Sequence, residues 1–144
     1  MLIGQYTSKL TEGQRLSIPK KFRSELGEEL ITARWYEGCL VIISKDNWSK
    51  LQKRLIGNTT LVTEPVRDID RFIMASAFEI KLDDQGRFVV PEGLLTYSKI
   101  TGEVVFIGLD DRVEVWAQDI WSEAEKGAEA KASEAIEKIA KRTG

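Results

Sequence analysis

The chain has 144 residues, of which 42% are hydrophobic and 31% charged, a balance that supports a folded core and excludes a disordered segment. The net charge of −2 is uneven: residues 1–60 hold ten Lys and Arg against six Asp and Glu, and residues 61–144 hold eleven against seventeen. With no histidine and a single cysteine, Cys39, histidine triads, histidine-bound metals, four-cysteine zinc sites and internal disulfides are excluded.

Residues 4–10 read as a strand, followed by a tight turn around Gly13 and a short return strand at 16–18. Gly13 takes positive φ at little steric cost and Thr11 bonds its own backbone, so this stretch is expected to be a hairpin. Pro19 suits the first position of a helix whose apolar residues, Phe22 and Leu26, lie four apart, and Gly27 ends it. Two more strands, 30–33 and 40–43, flank a loop containing Tyr36-Glu37-Gly38. Ser44 then caps a helix bearing Trp48, Leu51 and Leu55, which Gly57-Asn58 stops. Cys39 reads as a small hydrophobe entering the second of these strands. Of the four tryptophans, Trp48, Trp116 and Trp121 fit packing positions, and Trp35, in the loop, is the one whose exposure and base stacking come into question.

Thr63 precedes Glu64-Pro65, a helix entry, and Val66, Ile69, Phe72 and Ile73 form an apolar stripe running to about Ser76. The opening pattern then returns. Residues 77–82 repeat the first strand, Asp83-Asp84-Gln85-Gly86 the turn, 88–90 the return strand and 91–97 the short helix, with Leu94 in the place of Phe22. Residues 104–107 and 113–116 repeat the two later strands, and Trp121 falls where Trp48 did. The offset between copies starts at 72, drifts to 75 and returns to 73, as loops change length between conserved elements, so the chain is an internal duplication. Each half is too short to stand comfortably alone, and the two are expected to share one barrel-like core. The division is residues 1–57, a first repeat; 58–76, a connecting helix; 77–121, a second repeat; and 122–144, a weakly amphipathic helical tail that packs lightly.

Arg15 and Arg87 follow the two turns at matching places, and Lys9 and Lys81 flank them in register. A guanidinium carries five donors in a rigid fork, which suits guanine O6 and N7 or a phosphate, and a two-stranded ribbon fits the major groove. Asp83 is placed either to hold Arg87 or to cap its turn; Thr11 is placed only to cap. Lys20, Lys21 and Arg23 make the first short helix basic, where the second copy has Glu92-Gly93. A solvated surface explains these lysines as well as phosphate contact does. Asp83-Asp84 and Asp110-Asp111 lack the alternating oxygen ligands of a calcium loop and read as turn residues. No metal, cofactor or catalytic constellation is expected. Residues 1–6 do not look like the start of a signal peptide, and no stretch approaches the ~18 apolar residues of a membrane helix, so the expected location is the cytoplasm.

The paired stretches from Gln14-Arg15-Leu16-Ser17-Ile18-Pro19-Lys20-Lys21-Phe22-Arg23 and from Leu82 to Pro91, with Ala75-Ser76-Ala77 between them and Gly108-Leu109-Asp110-Asp111-Arg112-Val113-Glu114-Val115-Trp116 near the end, resemble the MraZ family of bacterial transcriptional regulators. The resemblance implies an α+β, mainly β, fold of two swapped-hairpin barrel halves of the AbrB type, with short flanking helices and a C-terminal helix, assembling into a ring-like homo-oligomer. It also implies a nucleoid-associated protein, not an enzyme, that binds direct repeats in double-stranded DNA upstream of its own division and cell-wall gene cluster and represses it. The motif that reads DNA in that family is Asp, three residues, Arg. Asp83 and Arg87 match it; in the first copy Arg15 is in place, but Thr11 stands where the acid belongs. The implied DNA-contacting set is Arg15, Arg87, Asp83, Thr11, Lys9, Lys81, Gln14, Lys20, Lys21 and Arg23. The rival reading is an oligomeric protein-interaction scaffold that does not bind DNA.

Overall fold

The computed structural model describes residues 1–56 and 64–143. The expected helix stop at Gly57-Asn58, the entry at Thr63, the side chain of Leu55 and the final Gly144 lie outside the described residues. In chain order the elements are β1 (Leu2–Lys9), β2 (Arg15–Ser17), α1 (Lys20–Leu26), β3 (Leu30–Arg34), β4 (Leu40–Ser44), α2 (Lys45–Ile56), α3 (Glu64–Ile73), β5 (Phe78–Ile80), β6 (Arg87–Val89), α4 (Glu92–Ser98), β7 (Glu103–Asp110), β8 (Val113–Ala117), α5 (Gln118–Lys126) and α6 (Ala128–Thr143).

Local chemistry accounts for most of these boundaries. Pro19 sits one residue before α1 with an extended backbone, so it introduces the helix and is not its first residue; Phe22 and Leu26 are the buried pair. Ser44 Oγ accepts a hydrogen bond from Asn47 N at 3.2 Å and caps α2, satisfying one of the amides that a helix start leaves open. Gly127 divides the tail into α5 and α6. Residues 128–142 of α6 are all exposed, consistent with light packing. Helix outweighs strand in the chain because α2, α3, α5 and α6 are long while β2, β5 and β6 have three residues each, so the strand-dominated balance expected from the sequence is corrected.

The opening stretches do not fold back as hairpins. Thr11 N donates to Arg15 O at 2.9 Å and Asp83 N to Arg87 O at 2.9 Å, closing both turns, but the flanking strands then part. β1 pairs along its whole length with β7 of the other repeat, from Leu2↔Asp110 to Lys9↔Glu103, and β5 pairs with β3. The return strands β2 and β6 pair with each other. Burial explains the exchange: Leu16 and Phe88, at the centres of the return strands, are 0% and 3% exposed, an apolar closure that three-residue strands gain by facing each other over a common core.

One sheet thus runs β1-β7-β8-β4-β3-β5, all antiparallel, and a separate ribbon is β2-β6. The order reads the same from either end when the repeats are exchanged. The pairs Val41↔Glu114 and Leu16↔Phe88 each join matching positions of the two copies, so a pseudo-two-fold axis passes through the sheet and the ribbon. On one face of the sheet, residues of both repeats form a core that includes Leu16, Phe22, Leu40, Phe88, Leu94 and Phe106. On the other face Ile31, Val41, Trp48, Leu51, Ile73 and Trp116 form a second core. Trp35 belongs to this second core at 4% exposure, which removes it as a base-stacking group; its neighbour Tyr36 is the exposed ring of the loop. Cys39 is fully buried, and desolvation pushes its thiol well above the ordinary range, as expected of an inert packing cysteine.

Candidate nucleic-acid interface

The ribbon pairs Arg15↔Val89, Leu16↔Phe88 and Ser17↔Arg87. Side chains alternate across a strand, so with Leu16 and Phe88 turned into the core, Arg15, Ser17, Arg87 and Val89 all stand on the outer face. The arginines occupy diagonal corners of this four-residue array, a relation that places backbones ~7–8 Å apart. They are not at the tips of two separate hairpins; tertiary pairing gathers both onto one ribbon. Two bonds related by the pseudo-axis hold the turns to the opposite repeat: Ile18 N donates to Gly86 O at 3.0 Å, and Val90 N donates to Gln14 O at 2.8 Å.

The arginines are held differently. Asp83 Oδ1 accepts from Gln85 N and Arg87 N, each at 2.9 Å, and its Oδ2 accepts from Arg87 Nε at 2.9 Å. Capping and orienting, the two alternatives for Asp83, are therefore performed at once by its two oxygens. In the first repeat the Thr11 hydroxyl donates to Arg15 O at 3.2 Å, and Arg15 Nη1 reaches back to Glu12 O at 3.3 Å. The Arg15 guanidinium makes no ion pair among the described residues. Positive φ at Gly13 and Gln14 shapes this turn, whereas the second turn needs it only at Gly86.

The hydrogen bond from the Arg87 backbone, followed by the Arg87 side chain, lowers the Asp83 carboxyl below its usual range against a smaller opposing desolvation. A group whose folded value is depressed stabilises the fold above its unfolded value, about 3.9 for Asp, and loses that contribution as pH falls through the folded value. Thermal melts between neutral pH and pH ~2.5 are expected to converge for the natural protein and Asp83→Asn as acid is added, with the natural protein melting higher at neutral pH. A constant difference across the range sinks this assignment.

The remaining basic residues do not form one cluster. Lys81 shares a groove with Arg15 and Arg87. Lys9, its counterpart, pairs in register with Glu103 and lines a different depression with Thr7 and Gln118. Lys20 and Lys21 are exposed on α1, and Lys21 Nζ lies 5.9 Å from the Tyr6 ring centre. Arg23, in contrast, folds under the second turn, where a Cβ on Gly86 would collide with its guanidinium. Ser17 and Val89 complete the outer face; neither was singled out from the sequence, and the period-two alternation of the return strands is the signal that would have found them. Asp111 pairs with Arg112 at 2.9 Å and with Arg54, so it serves as a tie between the β7–β8 turn and α2. Among the described residues no cluster of acidic or cysteine side chains is placed to hold a metal, and no helix is long and apolar enough to cross a membrane.

Comparison with known proteins covers both repeats. The family described as "MraZ protein, putative antitoxin-like" matches twice, at residues 1–72 and 73–143. The chain is similar to a protein of Caldanaerobacter subterraneus named "Transcriptional regulator MraZ", with 35% identity over 139 residues that cover 96% of each chain. Proteins of the same name from Halothermothrix orenii (36% identity; 97% of this chain and 94% of the relative) and Clostridium acetobutylicum (37%; 85% and 86%) are similarly close. With both repeats matched and relatives aligned nearly end to end, the chain belongs to the MraZ family.

Proposed function

We propose that the protein is a sequence-specific DNA-binding transcriptional regulator, without catalytic activity, that inserts the β2–β6 ribbon into the major groove and reads base edges with Arg15 and Arg87. The observation that carries this reading is the gathering of two matching arginines from distant parts of the chain onto one partly exposed outer face of the ribbon. Relatives named as transcriptional regulators support it. A two-stranded ribbon fits the major groove, and a guanidinium fork matches guanine O6 and N7. Asp83 orients Arg87, Thr11 and Gln14 shape the first turn, and Lys9, Lys81, Lys20, Lys21 and Arg23 supply positive charge along the flanking backbone.

One ribbon contributes few base contacts, so specificity comes from repetition. The reading includes a ring-like homo-oligomer engaging short direct repeats upstream of the protein's own division and cell-wall gene cluster, and repression of that cluster from a cytoplasmic, nucleoid-associated pool. Structurally, we take residues 1–57 and 77–121 as two swapped-hairpin halves of the AbrB type, joined by 58–76 and followed by the tail 122–144; the exchanged pairing of β1 and β5 supports this. The test is titration of the upstream DNA with the full chain across a salt series. A steep fall of log affinity with log salt and protection of repeats in phase with a helical turn of ~10 bp are the expected results. Affinity equal to that for unrelated DNA of the same length overturns it.

A further inference from the structure

Beside the ribbon lies a groove of about 520 Å³, within the size range of small-molecule sites. Ile80, Leu82, Phe88 and Pro91 give it an apolar floor, Phe78 and Val89 form exposed apolar lips, and Arg15, Arg87 and Lys81 line its rim. The two halves differ in the side chains they bring to this place. In the register of the sheet Tyr6 pairs with Phe106, and the matching pair in the other half is Phe78 with Thr32. Phe106 is fully buried and fills its half, and Tyr6 packs edge-on against Phe22 at 5.0 Å. Thr32 is too small to do the same. Its hydroxyl oxygen is buried at the groove with no hydrogen-bond partner, an uncommon and costly state for a polar atom.

The charge of the groove has a sign. Its two carboxylates are engaged: Asp83 holds Arg87, and Glu79 is paired with Lys45 at 2.9 Å. Lys81 and Arg15 make no ion pair among the described residues, so the rim presents positive charge above an apolar floor. We propose that this groove binds a small amphipathic anion, an apolar chain ending in a carboxylate or phosphate, whose head group takes the Arg15 and Lys81 charges and thereby competes with DNA. The competition rests on the DNA-binding reading above; the groove's ligand class does not.

The test uses the full-length protein and three probes, decanoate, decyl phosphate and decyltrimethylammonium, each below its micelle-forming concentration, followed by calorimetry. Either anion is expected to bind saturably at one per chain, the two heads distinguishing carboxylate from phosphate, with the ammonium weaker by about tenfold or more. Thr32→Phe, which repeats the packing of the other half, is expected to abolish uptake. Phe78→Ala, at an exposed position that leaves folding intact, is expected to weaken it by about tenfold through lost apolar contact. Saturation with the anion is expected to lower affinity for the upstream DNA by about tenfold or more. No saturable uptake of either anion, equal uptake of the ammonium, or unchanged uptake by folded Phe78→Ala protein overturns the site. Anion binding with unchanged DNA affinity overturns the competition alone. Anion binding by a protein that does not bind the DNA even without ligand overturns the DNA reading and leaves the groove's assignment standing.

Discussion

Replacing Arg15 and Arg87 together by alanine is expected to lower affinity for the upstream DNA by about 10²- to 10⁴-fold while leaving the melting temperature nearly unchanged. Each bidentate base contact contributes about 1–3 kcal/mol, and every 1.4 kcal/mol is tenfold. Stability is spared because both side chains lie on the outer face and the Arg87–Asp83 pair is a partly exposed surface pair, whose contribution is screened by solvent. The single substitutions are expected to differ. Arg87→Lys keeps the charge but loses both the fork and the Nε bond to Asp83, so it behaves nearly as Arg87→Ala; Thr11→Asp supplies the first turn with the acid it lacks and is expected to tighten binding. Fluorescence anisotropy with the natural site, together with melts of each variant, reads these effects. Double-variant protein that folds and binds as before sinks the ribbon as the reading element.

Phe88→Ala is expected to destabilise the fold by about 3–5 kcal/mol, the usual cost of emptying a buried aromatic site. Phe88 is 3% exposed and faces Leu16 across the pseudo-axis, so its loss removes the apolar contact under both arginines at once. For a chain of this length the melting temperature should fall by roughly 10–20 °C. Phe88→Leu, which copies the other repeat, is expected to cost much less, since a large hydrophobe is retained. DNA binding should fall with the alanine variant even at temperatures where it remains folded, because the ribbon's outward face depends on that central pair. Calorimetric melts and anisotropy at low temperature check both halves. A small stability loss would show that the ribbon is not anchored through Phe88.

Much of the local structure was legible along the chain. The run Leu40–Ser44, β-branched at Val41, Ile42 and Ile43, made a strand buried on both faces, Ser44 capped α2, and the spacing of Phe22 and Leu26 placed the buried face of α1. The positions of Arg15, Arg87 and Asp83 after and within their turns followed from the repeat itself. What was not legible was which strand pairs with which. Residues 4–18 carry the local signals of a hairpin, glycine at the turn and alternation on either side, and those signals do close the turn. They do not encode the partner of β1 beyond it. Trp35 was ambiguous for a related reason: its loop position says nothing about the second core that closes over it.

The sequence by itself determined that the chain is duplicated and where most strands and helices lie, the tail's division at Gly127 excepted, because turn residues, caps and apolar periodicity act over a few positions. Only the tertiary structure decided that the repeats exchange their first strands, that the two arginines share one face, and that Asp83 both caps and orients. It also decided that Thr32, standing where the other half has Phe106, lines a groove beside them. Long-range pairing is set by the joint burial of Leu16, Phe88 and the sheet's inner face, a property of both repeats packed together that neither repeat holds alone.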